Sequence, residues 1–191
     1  MSKSSTDLSK LPEGLPEPAD DGAAAHLAGM PLPAVELPST DGRRVKLSDL
    51  AGRTVLFVVP SIGGIDDALL AEWTAVPGAR GCTPEACSFR DELGAFRSAG
   101  VDVLGLSGQP ATEQCDTVER LQLPYPLLSD EQLRLATSLG LPTFQFQGKT
   151  YLKRLTLVIS EGTIETALYP VFPPDKAPEQ ALGWLAANPP R

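Results

Sequence analysis

The chain has 191 residues, 42% of them hydrophobic and 21% charged, which is the size and composition of one globular domain with a real core. A formal net charge of -8, with no Lys/Arg cluster larger than a pair, argues against nucleic acid or an anionic membrane surface as partner. The longest apolar run, "VLFVV" at 55–59, is far short of the ~20 residues of a membrane span, and the N-terminus has no apolar stretch of signal-peptide length, so a cytoplasmic location is expected.

Residues 1–27 are rich in Pro, Ala, Ser and acidic residues and lack apolar periodicity, which predicts a flexible or loosely docked tail before a folded domain at 28–191. Val35 and Leu37, the turn "STDG", then Val45 and Leu47 predict a small hairpin. "RTVLFVV" (53–59) is a continuous apolar run, as in a strand buried on both faces. From Pro60 to Cys82 runs a long Gly-containing loop with a short helix in "DDALLAEW". Beyond it, Ala86, Phe89, Leu93 and Phe96 form one stripe of a helix that Gly100 ends. "VDVLGLS" predicts another buried strand, "ATEQCDTVERL" a helix, "YPLLSD" an extended stretch and "EQLRLATSLG" a further helix. "LKRLTLVIS" and "TIETALYPV" pair around "EG", and "APEQALGWLAAN" closes the chain as a helix. Strands alternating with helices, then two adjacent strands, imply an α/β fold with a mixed central sheet flanked by helices.

Three cysteines do not make a disulfide framework, and the only histidine, His26, falls in the tail. A reactive thiol here therefore needs an activator other than histidine. The C-x4-C spacing of Cys82 and Cys87 lies at the wide edge of zinc-ligand spacing and has no second pair, so no metal is expected. Pro84 suits a first helical position and puts Cys82 or Thr83 at the cap. A sulfur there meets free N–H groups and the positive end of the helix dipole, both of which favour thiolate. Cys87, five residues on, falls on the polar face with Asp91. In an intact helix the two Cα atoms would lie roughly 8 to 9 Å apart, beyond the ~7 Å that a disulfide tolerates. Unwinding the first helical turn would join them, which suits a cycle that passes through a sulfenic acid.

"GCTPEACSFRD" resembles the signature of the peroxiredoxins, in particular the bacterioferritin comigratory protein / peroxiredoxin Q class, and "YPLLSD" and "RLTLVI" continue the likeness. The resemblance implies a thioredoxin-like fold and reduction of hydrogen peroxide and organic hydroperoxides. It also implies recycling by thioredoxin or a similar dithiol, with no cofactor; a monomer is expected. It makes Cys82 the peroxidatic cysteine, Cys87 its resolving partner through a Cys82–Cys87 disulfide, and Arg154 the active-site arginine, with Pro60, Thr83 and Glu85 in support. An independent reason for Arg154 is that O–O cleavage releases an alkoxide, which a fixed cation stabilises. Arg80 and Arg90 are the competing cations; for Arg90 an ion pair with Glu85 or Asp91 is expected. Cys115, with Ala111 and Val118, reads as a buried core thiol.

The family pattern P-x-x-x-T-x-x-C is broken. Ala79 stands at the threonine, and Pro60 lies 22 positions before Cys82 rather than seven. Pro77 is a second candidate for shielding the thiolate, and Ser61, Thr74 or Thr83 for the missing hydroxyl. The inserted residues suggest a pocket reshaped for a bulkier hydroperoxide. A second reading follows from the same break: a redox-sensing or binding protein on a peroxiredoxin scaffold that no longer turns over.

Overall fold

The structure, a computed structural model, describes residues 10–63 and 65–190. Strands β1 (Glu36–Pro38) and β2 (Arg44–Lys46) form the expected hairpin, and β3 (Arg53–Val58) enters the central sheet. The insertion folds as a 3-10 turn and α1 (Leu70–Ala75), followed by α2 (Cys82–Asp91), α3 (Leu93–Ser98) and β4 (Val101–Ser107). Then come α4 (Ala111–Leu121), β5 (Leu127–Ser129), α5 (Arg134–Leu139), β6 (Thr143–Phe146), β7 (Lys149–Leu152), β8 (Leu155–Ser160), β9 (Thr163–Leu168) and α6 (Ala177–Ala187).

The sheet runs β5-β4-β3-β8-β9; β3 is parallel to β4 and antiparallel to β8. Because side chains alternate along a strand, β3 feeds two cores. Leu56 and Val58 pack with Leu104, Leu157 and Ile159 on one side; Val55 and Phe57 pack with Val103, Val158 and the helices α2, α3 and α6 on the other. Phe57 stacks on Phe89 with ring centroids 4.5 Å apart, and Phe89 on Phe96 at 5.7 Å. The Tyr125 hydroxyl donates to the Ala86 carbonyl. These contacts pin the middle of α2 to the sheet and leave its first turn to be held by other means.

Two readings of the sequence change. The stripe from Ala86 to Phe96 is buried as expected, but the helix breaks at Glu92, whose carbonyl accepts from both Ala95 and Phe96. Gly94, a weak helix former, sits beside the break. The hairpin β6–β7, unassigned from sequence, closes through Gln147 and Gly148 at φ 48° and 73°, the two positive dihedrals that a two-residue turn between twisted strands requires. The expected tail at 1–27 lies partly outside the described residues, and its last residues touch the fold. Ala24 and Leu27 are buried in the first core, and His26 Nε2 lies 2.8 Å from the Leu139 carbonyl oxygen.

Candidate active site

Gly81, not Cys82 or Thr83, caps α2. Its φ of +105° is open to glycine, and a Cβ there would come within 2.6 Å of Pro174 Cγ. Cys82 is thus the first helical residue and Pro84 the third, a position where a missing N–H still costs no intrahelical bond. The first N–H of α2 to find a backbone acceptor is that of Glu85, which donates to Gly81. The N–H groups of Cys82 and Thr83 precede it and belong to the unpaired set at a helix start.

Cys82 is 3% exposed, Arg154 3% and Glu85 0%. Arg154 comes from the residue just before β8, and its Nη2 lies 3.3 Å from Cys82 Sγ. The same nitrogen lies 3.2, 3.4 and 3.1 Å from the carbonyl oxygens of Gly78, Ala79 and Arg80, so the turn before the helix aims it. Nη1 contacts the Glu85 carboxylate. Burial lowers the basicity of Arg154, but the charges of Glu85 and Cys82 more than offset this and raise its pKa. Burial pushes the Glu85 carboxyl up to about 7, with Arg154 pulling it down. The guanidinium thus stands against the sulfur in a setting with little water to screen it. The other cations go elsewhere. Arg90 pairs with Asp91 at 2.8 Å and donates to the Leu121 carbonyl; Arg80 offers its own carbonyl to Arg154.

Cys82 opens onto a cleft of about 30 Å³ that Ser61, Trp73, Ala79, Arg80, Thr83 and Pro84 help to line. The insertion therefore fills space here. Trp73 of α1, 2% exposed, packs among Phe146 and Tyr151 of the β6–β7 hairpin at 5.0 and 4.9 Å and lines the cleft. Of the three hydroxyls, Ser61 and Thr83 line the cleft, whereas Thr74 donates to Leu70 of its own helix. Ser61 follows Pro60 on a fixed backbone, since the Gln109 side chain both accepts from Ile62 N–H (2.8 Å) and donates to its carbonyl (3.3 Å). Pro60 is buried but does not line the cleft, and Pro77 lines a separate apolar cavity that Arg154 also lines; Pro84 is the proline at the thiol.

Cys87 is half-buried on α2, unlinked to Cys82, and burial pushes its thiol up against the pull of Arg90. Cys115 corrects the sequence reading, for it is exposed. The buried residues of α4 are polar: Gln114, which donates to Ser107 Oγ and the Leu128 carbonyl, and Thr117, which donates to the Glu113 carbonyl. Hydropathy alone places such residues outside, yet satisfied polar groups bury readily. No group of three or more His, Cys, Asp or Glu that could hold a metal occurs among the described residues. Among them, too, no helix is long and apolar enough to cross a membrane.

A mixed sheet with helices on both faces, and a thiol at the first turn of one of them, is the architecture of the thioredoxin-like thiol proteins. The chain belongs to the redoxin family, whose model matches residues 27–182, and within it to the peroxiredoxin Q/Bcp class of thiol peroxidases. It is 30% identical to the chloroplastic peroxiredoxin Q of Gentiana triflora over 93% of this chain and 77% of that one. It is 32% identical to peroxiredoxin Bcp of Escherichia coli K12, covering 83% and 94%. Among solved structures, peroxidoxin BcpB of Mycobacterium tuberculosis superposes with a TM-score of 0.68 at 29% identity, covering 85% of this chain and 98% of that one.

Proposed function

We propose that Cys82 is the peroxidatic thiol, and that Arg154 at 3.3 Å from its sulfur is the group that activates it. The thiolate attacks the nearer oxygen of a hydroperoxide, the O–O bond breaks, and the departing oxygen takes a proton to leave as water or an alcohol. The sulfur is left as sulfenic acid. Developing charge on the departing oxygen meets the guanidinium and the N–H groups at the helix start, with the Ser61 and Thr83 hydroxyls close by in the cleft. Glu85 fixes the fork of Arg154 from behind.

Cys87 then condenses with the sulfenic acid, releasing water and forming the Cys82–Cys87 disulfide. Both residues lie in α2, so its first turn unwinds for this step. Thioredoxin or a similar dithiol returns the pair to thiols in the cytoplasm, and the chain acts as a monomer. The cleft volume of about 30 Å³ favours hydrogen peroxide over bulky hydroperoxides. Ala79 supports the second reading, in which the switch works without turnover, because it leaves the thiol without the family's hydroxyl.

Peroxide-dependent NADPH oxidation with thioredoxin and its reductase separates the two readings. Wild type should turn over repeatedly and Cys82→Ser not at all. A single equivalent of peroxide consumed, with no cycling under any dithiol reductant, would instead establish the switch.

A further inference from the structure

The segment ahead of β1 packs on the very turn that carries the thiol. Leu11, Leu15, Pro16 and Pro18 are half-buried, while Pro12, Glu13 and Glu17 are exposed, so an irregular stretch presents one apolar side inward. A Cβ on Gly81 would come within 2.8 Å of Leu11 Cδ2, and one on Gly78 within 3.4 Å of Pro18 Cβ. Leu15 and Pro16 close against Thr74, Val76 and Arg80 with no water-sized space between them. Asp21 anchors the end of the stretch, accepting from Lys153 Nζ at 2.6 Å and from the Tyr169 hydroxyl at 2.7 Å.

Gly78 to Arg80 are the residues whose carbonyls hold Arg154, and Gly81 caps α2. This is the backbone that must move when the first turn of α2 unwinds. We infer that residues 11–21 form a strap that keeps this turn wound and so sets the rate of resolution, leaving the rate of peroxide attack alone. The inference rests on the reading that Cys82 resolves with Cys87.

The sulfenic acid has two fates. It condenses with the Cys87 thiol, losing water, or a second hydroperoxide transfers an oxygen to its sulfur, giving sulfinic acid and releasing an alcohol or water. Only the first fate needs unwinding. A firm strap therefore prolongs the sulfenic acid and exposes it to the second oxidant; a loosened strap favours the disulfide.

Leu11→Ser, Asp21→Asn and the double variant, all in the full chain, test this in three measurements. Stopped-flow single turnover separates Cys82 oxidation from disulfide formation. Mass spectrometry gives the sulfinic fraction at rising peroxide. Amide exchange in the reduced protein follows Glu85 to Cys87, with β3 and β8 amides as the control for an intact fold. Oxidation should stay within about twofold of wild type. Disulfide formation should quicken about tenfold, the factor that ~1.4 kcal/mol of lost hold produces. The sulfinic fraction should fall, and exchange in the first turn should quicken. Unchanged exchange and resolution in the double variant overturn the strap. So does a matching slowdown of the oxidation step, which would assign the segment to placing Arg154. Faster exchange without a Cys82–Cys87 disulfide, in wild type as in variants, upholds the strap's grip on the turn and removes Cys87 as the partner.

Discussion

Arg154 meets the thiol, a carboxylate and three backbone carbonyls through one planar fork, which a lysine cannot imitate. Arg154→Lys should slow Cys82 oxidation by about 10²-fold, the usual scale for losing a positioned charge donor, while circular dichroism stays native. Wild-type rates in that variant would hand the role to Arg80. Glu85 gives a pH signature. Its carboxyl is raised in the folded state to about 7 from an unfolded value near the ordinary 4.5, so the fold binds the proton more tightly than the unfolded chain does. Its contribution is fully present at low pH and is lost as pH rises through that window. Urea midpoints should therefore fall between about pH 5 and 7, a slope that Glu85→Gln should flatten. Cys82 and Arg154 were legible because each sits in a dense motif. The partner of Glu85 was not, since Arg90 on the same helix was the expected one and only the tertiary fold puts Arg154 against it.

Elements were legible wherever apolar spacing decided the matter, as along β3, β4, β8 and the stripe of α2. They were misread where polar residues are buried. On α4 the inward face is Gln114 and Thr117, a hydrogen-bonded layer that holds Ile62 and Leu128, and this turned Cys115 outward. An exposed Cys115 sharpens the test of resolution. Non-reducing peptide maps after one equivalent of peroxide should show Cys82–Cys87, and Cys115→Ser should leave the yield unchanged; a dominant Cys82–Cys115 link would reverse the assignment. The β6–β7 hairpin escaped notice although Phe144 and Phe146 alternate before Gly148, because neither of its turn residues forms one of the strong Asn-Gly or Asp-Gly signals. Its aromatic face seats Trp73, which in turn narrows the cleft. Trp73→Leu should lower stability by about 2 kcal/mol. The same change should raise the kcat/KM ratio of cumene hydroperoxide to hydrogen peroxide about tenfold, as room for a larger substituent opens.

At the scale of the whole molecule, the thiol and its guanidinium are brought together from positions 72 residues apart in the chain. Arg53 on β3 pairs with Ser160 on β8, so the strand that follows Arg154 joins the sheet only after a very long loop has closed. Contacts of this separation form late and slowly, since the entropy of closure must be met before any of them is made. During synthesis Cys82 therefore emerges from the ribosome well before Arg154, the residue proposed to activate it. On the proposed roles, the chain should carry an ordinary thiol rather than a peroxidase during that interval, with no special reactivity toward oxidants until the sheet is complete. Refolding from urea with timed pulses of peroxide should show rapid Cys82 oxidation appearing only with the last folding phase, in step with protection of the β3–β8 amides.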